Sequence, residues 1–317
     1  MKHVVLGNKI EDAHLEEFQL PEPGERQISI SVSHSGLGMI DALQAAGSLG
    51  SLGGHTPGLE AAGTVTAIGS QVTEFKVGDT VAAMCFGGGL SSDMIAEVEL
   101  SAKLPQGMNL ATASVTIVNT LTAWAAVKQV CELEVPEKVL VFAATGGLGS
   151  QFGQIFKDLG VKTVDGVVGS SDKAQIAKNL GYNSIFRRDE NQEIPVNNYN
   201  VVVDMVGGAS FQQGWAALKS GGRLLKVGNA SDQESQAIPP IDFWFQNKSV
   251  IGFNVGEWLL KNPKEAADGI SWSIESVNAG TIEVPTLIYP IAEFKKALTD
   301  IKSGQTHGKL SVEWPDN

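Results

Sequence analysis

Apolar and polar residues follow two rhythms along this chain. Up to about residue 113 a period of two dominates. Gln27–Ser33 alternates apolar and polar residues, the pattern of a half-buried strand. Pro21, Pro23 and Gly24 punctuate its start. Gly63–Gly69 and Thr80–Met84 are further strand candidates, the second entered through a Gly78–Asp79 turn. Short strands joined by glycine-rich turns predict a small barrel. From about Asn119 short apolar runs alternate with helical patterns. The runs are Val139–Phe142, Thr163–Val168, Ser184–Phe186, Val201–Asp204, Gly222–Val227 and Val250–Phe253, with helical segments at Ser171–Leu180 and Phe211–Leu218 between them. That alternation predicts a parallel sheet with helices on both faces. From about Glu257 the tail begins helical. It ends in strand candidates Thr286–Tyr289 and Lys309–Val312 around a helix at Ile291–Ile301, and is placed to return to the first region. There are no internal repeats.

The segment Lys138–Gly160 carries the clearest chemistry. A buried strand, Val139–Phe142, runs into Ala144, Gly146 and Gly149. Leu148, Phe152, Ile155, Phe156 and Leu159 then recur at helical spacing, and Gly160 stands where a helix stops. The spacing is that of the dinucleotide-binding turn, with alanine in the first glycine slot. Glycines let the backbone approach a pyrophosphate, and the helix N-terminus offers unpaired N–H groups and a positive dipole end. The strand and helix on either side are the context that the motif requires.

Composition narrows the function class. The 317 residues are enough for two domains. A net charge of -12 argues against binding to a nucleic-acid backbone. No apolar run is long enough for a membrane span, and the N-terminal stretch lacks the apolar core of a signal peptide. A cytoplasmic protein is expected. Cys85 and Cys131 form no metal-binding pair, and His3, His14, His34, His55 and His307 show no ligand spacing, so no metal site is expected.

Taken in order, the motifs resemble the medium-chain dehydrogenase/reductase superfamily. They are Pro23–Glu25, Gly36–Asp41, Pro57–Gly69, Val72–Asp79, Leu121–Trp124, the Ala143–Gly149 turn, Asp204–Gly207, Gly221–Gly228 and Thr306–Leu310, and they cover nearly the whole chain. Zinc enzymes of that superfamily carry a cysteine where Gly38 stands and a histidine where Leu59 stands; neither residue here can ligate zinc. The resemblance is therefore to the zinc-independent quinone oxidoreductase branch. It implies an α/β protein with a GroES-like, mostly-β catalytic domain, 1–118 completed by 257–317, and a Rossmann domain with a doubly wound parallel sheet, 119–256.

The resemblance also implies a site. Thr122 is placed near the nicotinamide ribose or amide; Gly146, Gly147, Leu148 and Gly149 at the pyrophosphate; Gly228 and Asn229 at the C-terminal edge of the sheet, where ligands of such sheets bind; Phe253 and Asn254 along the nicotinamide; and Lys309 near the cofactor at the chain end. Ser170 and Lys173 match positions that accept a 2′-phosphate in NADP-preferring relatives, and Arg187 falls at the adenosine end. No acid stands at the end of the second strand to hold an NAD ribose, so NADP(H) is the expected cofactor. The competing reading has Asp165 holding that ribose, if the strand ends earlier. Glu60 reads as a structural, paired carboxylate. Asp41 is the candidate catalytic side chain, with a loop-holding role as its alternative.

Without a Lewis acid, simple alcohol oxidation is disfavoured. Hydride transfer to an already electrophilic small molecule, a quinone or an α,β-unsaturated carbonyl, is the expected reaction. The segment after Asp41 is Ala42-Leu43-Gln44-Ala45-Ala46-Gly47, without the tyrosines of many relatives, which opens the pocket and removes proton donors. A non-catalytic NADP(H)-binding redox sensor and an enoyl-thioester reductase are the alternatives. The resemblance further implies a homodimer in which Val250–Val255, the last strand of the Rossmann sheet, pairs with its two-fold mate.

Overall fold

The structure, a computed structural model, describes residues 1–49, 53–130, 135 and 137–315. Cys131 lies outside the described residues. Two compact units are present, Met1–Leu121 with Leu259–Asn317, and Thr122–Trp258.

The first unit opens with a hairpin of β1 (Lys2–Val5) and β2 (His14–Glu17). Its body is a sheet around the long β3 (Gln27–Leu37). That strand is followed by helix α1 (Met39–Ala45), β4 (Glu60–Ile68), β5 (Thr80–Met84), β6 (Asp93–Glu97), β7 (Ser101–Lys103) and the short helix α2 (Leu110–Ala113). β3 pairs antiparallel with both β4 and β6. Ile28, Ile30 and Val32 of β3 point into a core with Val65, Val81, Ala83, Met94 and Ala96. β4 begins earlier than the alternating pattern indicates, because Glu60-Ala61-Ala62-Gly63 is buried throughout and shows no alternation. Gly63 lies so close to β3 that a β-carbon there would stand 2.0 Å from the Ser31 carbonyl oxygen.

The chain passes through α3 (Ile117–Val130) into the second unit. There it forms β8 (Lys138–Val141), α4 (Gly149–Asp158), β9 (Thr163–Val168), α5 (Ser171–Asn179), β10 (Ile185–Arg187), β11 (Tyr199–Asp204), α6 (Ala209–Ala217) and β12 (Leu218–Lys226). α7 (Pro240–Gln246) and β13 (Ser249–Gly252) complete it. All six strands are parallel, in the order β10-β9-β8-β11-β12-β13. That is the order of a doubly wound dinucleotide-binding sheet, with its switch point between β8 and β11. The core holds Leu140, Phe142, Val167, Tyr199, Val202 and Leu224, the continuous apolar runs of central parallel strands. β12 starts at Leu218 rather than Gly222, since Leu218 pairs with Tyr199 before an irregularity in the ladder.

After α8 (Val255–Lys261) and α9 (Pro263–Asn278) the tail adds β14 (Thr286–Pro290), α10 (Phe294–Ser303) and β15 (Lys309–Glu313). β15 pairs antiparallel with β3 and parallel with β14, so the chain end completes the first sheet. Phe294, Ala297, Leu298 and Ile301 place one face of α10 in the core of the first unit. The helix begins at Phe294, after a single 3-10 turn over Ile291–Glu293.

Candidate functional site

In the second unit the glycine turn joins β8 to α4. The Phe142 and Ala144 amides donate to Val203 and Val167, which carries the chain past the strand end between its two neighbours. Ala143 takes φ 50°, and the Gly146 amide closes the turn on the Ala143 carbonyl at 2.9 Å. A β-carbon on Gly149 would stand 2.1 Å from that carbonyl oxygen; on Gly146 it would stand 3.3 Å away. No side chain caps α4 at Leu148; the Ser150 and Gln151 amides already donate to the Gly146 and Leu148 carbonyls, so the amides left for water or an anion are those of Gly147, Leu148 and Gly149. Tyr182, which the sequence reading does not single out, lies against this helix. Its hydroxyl donates to the Gly149 carbonyl at 2.6 Å, and its ring fills notches left by Gly153 and Gly166. Burial raises the phenol far above its ordinary range, so it stays protonated.

The second strand of the nucleotide fold, β9, runs to Val168 and opens into Gly169 and Ser170. Ser170 is the N-cap residue of α5, and its hydroxyl makes no capping hydrogen bond. Lys173 is half-buried in the first turn of this helix. Its ammonium is pushed below the usual lysine range, first by burial and then by the charge of Arg188. The Arg188 amide donates to the Val168 carbonyl at 3.0 Å, and its guanidinium passes 3.3 Å from where a Gly169 side chain would begin. Two cations therefore converge beside an uncapped helix N-terminus. Positive charge gathered at a helix N-terminus suits an anion.

Arg187, the residue singled out from sequence, turns the other way. Its guanidinium is engaged by Asp189 at 3.0 Å and by Glu190 at 2.6 Å. Side chains alternate along a strand, so adjacent arginines at the end of β10 point to opposite sides. The cation at the end of β9 is Arg188. Asp165 does not stand at a strand end either. It lies in the middle of β9, buried, accepting from the Ser184 amide and the Tyr199 hydroxyl, both at 2.9 Å. Its oxygens are committed to tying β9 to Ser184 and, across β8, to Tyr199 of β11.

Across the sheet, Gly228 and Asn229 follow β12 directly and are exposed. The Phe253 amide donates to the Lys226 carbonyl at 3.0 Å, and its ring meets Trp258. Asn254 accepts from the Glu257 amide at 3.2 Å and so caps α8. Thr122 lies inside α3 and is buried.

The first unit gathers a buried charge cluster. Asp41 accepts the Gly38 and Gly58 amides, both at 2.8 Å, one on each oxygen. Burial raises its carboxyl, while these two amides and Lys309 act the other way. Both oxygens serve the backbone, which is the geometry of a loop staple. Glu60 accepts the Val118 amide at 2.9 Å, and Lys309 Nζ stands 2.8 Å from its other oxygen, as an ion pair without a well-aligned hydrogen bond. Asp41→Ala leaves two backbone amides unpaired, each costing about 1–3 kcal/mol. A clearly lowered urea midpoint is the expected result, and an unchanged midpoint would remove the staple.

The same cluster tests the zinc site of the zinc enzymes. Gly38 and Leu59 offer no ligand atoms, and a β-carbon on Gly38 would stand 3.6 Å from the Lys309 ammonium. Among the described residues no group of His, Cys, Asp or Glu side chains is arranged to hold a metal. Burial raises the Cys85 thiol to about 12, which keeps it protonated at neutral pH. These residues do not fit zinc, and no catalytic step is assigned to it.

Two family models match the chain: the alcohol dehydrogenase GroES-like domain over residues 24–114 and the zinc-binding dehydrogenase domain over residues 147–272. Among curated proteins, a mycocerosic acid synthase-like polyketide synthase of Mycobacterium tuberculosis is 25% identical over 308 residues, covering 94% of this chain and 14% of that protein. A phthioceranic/hydroxyphthioceranic acid synthase of Mycobacterium bovis is 27% identical over 315 residues, covering 95% of this chain and 14% of that protein. The chain thus spans about one seventh of the length of these relatives. Among solved structures, Escherichia coli quinone oxidoreductase complexed with NADPH superposes with a TM-score of 0.89 at 21% identity, covering 99% of this chain and 100% of that one. CurK enoyl reductase gives 0.86 at 23% identity, covering 99% of each chain.

Proposed function

The chain belongs to the medium-chain dehydrogenase/reductase family, with the fold of its quinone oxidoreductase-like type, and we propose that it is an NADPH-dependent reductase that passes hydride to a quinone or an α,β-unsaturated carbonyl without zinc. The observation that carries this reading is the pair of cations, Lys173 and Arg188, converging beside the uncapped N-terminus of α5 where β9 ends. A 2′-phosphate dianion suits that place, and a bare ribose hydroxyl does not.

The residues of the second unit fit the cofactor in sequence along the sheet edge. Ser170, Lys173 and Arg188 would hold the adenosine phosphate, and the turn at Gly146–Gly149, through the amides of Gly147 to Gly149, would hold the pyrophosphate. Gly228, Asn229, Phe253 and Asn254, with Thr122, are proposed around the remaining part. When bound, the reduced nicotinamide supplies the hydride. The protein's part is to orient the acceptor, keep water away and receive negative charge on oxygen. Mixing the protein with NADPH and a panel of quinones and enones, and following the nicotinamide absorbance, tests the reading. Acceptor-dependent loss of that band is expected; no loss with any member would overturn it.

Reduction of an enoyl thioester is the second reading. The likeness to polyketide synthases and to an enoyl reductase favours it. Enoyl-thioester substrates in the same panel separate the two.

We further propose a homodimer through β13, the edge strand of the parallel sheet. Its outer backbone groups need a partner. On α7, just before it, Trp244 and Phe245 are 71% and 72% exposed, their rings stacked at 4.9 Å. The Phe253 amide bonds to β12, so Gly252, of the other parity, turns its N–H to the open edge. Gly252→Pro removes that donor where a β-carbon meets nothing within 4 Å, and is expected to give a monomer by light scattering. A dimer that survives this change lies elsewhere. Soluble cytoplasmic residence is proposed as well; among the described residues no helix is long and apolar enough to cross a membrane.

A further inference from the structure

Lys226 and Asp204 close the adjacent strands β12 and β11 at their C-terminal ends. Ligands of doubly wound sheets bind outside that edge, on either side of the switch point. With the adenosine phosphate at β9, the reacting half of a dinucleotide extends over β11 and β12. Asp204 is fully buried. Its Oδ1 accepts the Val206 amide at 2.9 Å, the Gly207 amide at 3.1 Å and the Ser210 hydroxyl at 2.7 Å. Its Oδ2 is left to Lys226, whose Nζ donates to it at 2.8 Å. The carboxylate is thus saturated and cannot move, and it fixes the ammonium in turn.

Lys226 is not fully spent. An ammonium has three donors, and among the described residues only the bond to Asp204 is made. The side chain is 24% exposed, with the Phe211 ring 5.9 Å from Nζ. The backbone makes room for it. Gly207 takes φ +78°, and a β-carbon there would stand 3.2 Å from the ammonium and 1.8 Å from Asn229 Oδ1. Lys226 is therefore a fixed cation with donors to spare, at the edge where the acceptor is reduced.

We propose that Lys226 is an oxyanion-binding residue that receives the negative charge developing on the oxygen of the acceptor. This rests on the reductase reading above. As hydride adds to carbon, the π electrons of the acceptor move onto its oxygen. The ammonium donates a hydrogen bond to that oxygen and keeps its proton, and water supplies the proton that completes the product. No bond to Lys226 forms or breaks. The role falls to Lys226 because Asp41 is tied to two amides and Tyr182 to a carbonyl.

The probe is 4-nitrophenolate, an oxyanion whose absorbance reports its ionisation, titrated with and without NADP+. The wild-type protein should bind it and lower the pH at which the bound phenol ionises. Lys226→Met should weaken binding about tenfold or more and abolish the shift, as loss of one hydrogen bond to a charged group implies. Lys226→Arg should restore most of it, and NADPH affinity, read by fluorescence, should stay unchanged in both. Lys226→Met leaves Oδ2 of Asp204 unpaired, so Asp204→Asn/Lys226→Met serves as the fold control, with the urea midpoint of each variant measured. Failure of the wild-type protein to bind the probe, equal binding by Lys226→Met, or a parallel loss of NADPH affinity would each overturn the assignment. Failure of the wild-type protein to bind NADPH would sink the reductase reading instead, while the titration without nucleotide still decides the role of Lys226.

Discussion

Gly149→Val is expected to remove nucleotide binding from the second unit while leaving its sheet in place. The first atom of any side chain at 149 would stand 2.1 Å from the Ala143 carbonyl oxygen. Both partners are backbone, so the turn must move and the first turn of α4 with it. The Gly147 to Gly149 amides, proposed to hold the pyrophosphate, can do so only if they converge. Loss of two hydrogen bonds to a charged group, at about 1.5–3 kcal/mol each, corresponds to a fall of about 100-fold or more in affinity. Gly146→Ala is the graded control. Its β-carbon meets the same oxygen at 3.3 Å, a contact that a small adjustment relieves, so its effect should be several-fold smaller. NADPH fluorescence with a circular dichroism check on each variant reads both. Equal affinities for Gly149→Val and the wild-type protein would remove the turn from the site.

What the sequence made legible, and what it did not, follows from the range of the interactions. The glycine turn was readable because strand, turn and helix are consecutive and each has its own local pattern. The end of β9 was readable for the same reason. Arg187 and Arg188 could not be told apart in the sequence, because a shift of one residue at a strand end inverts the side, and only the ladder to Val168 fixes which arginine lies beside Gly169. Tyr182 carried no local signal. It matters because Gly153 and Gly166, distant from it in the chain, leave space for its ring, and the Gly149 carbonyl accepts its hydroxyl. The pairing of Glu60 with Lys309 likewise depends on β15 returning to β3. The hairpin of β1 and β2 was invisible to periodicity, since every residue of β2 is exposed and the strand shows no alternation.

The cation pair gives the other large effect. Lys173→Ala/Arg188→Ala should weaken NADPH strongly and leave NADH nearly unchanged. Each charge-assisted contact to a phosphate dianion is worth about 1.5–3 kcal/mol, so the double variant should lose about 100-fold or more of the preference for NADPH. Each single variant should lose a smaller part, and their effects should not add, because the two cations share one anion. Arg187→Ala is the control: its guanidinium is neutralised by Asp189 and Glu190 and should leave both affinities as they are. NADPH binding should also respond to pH. In the free protein burial and Arg188 hold Lys173 below its usual range. A bound phosphate favours the charged ammonium, so binding at alkaline pH should take up protons, and NADPH affinity should fall as pH rises through the free-state titration of Lys173. NADH affinity should not follow it. Calorimetry in two buffers of different ionisation enthalpy measures the proton uptake directly. A native protein that binds NADPH and NADH equally, or an NADPH affinity that ignores both substitutions, would place the phosphate somewhere else.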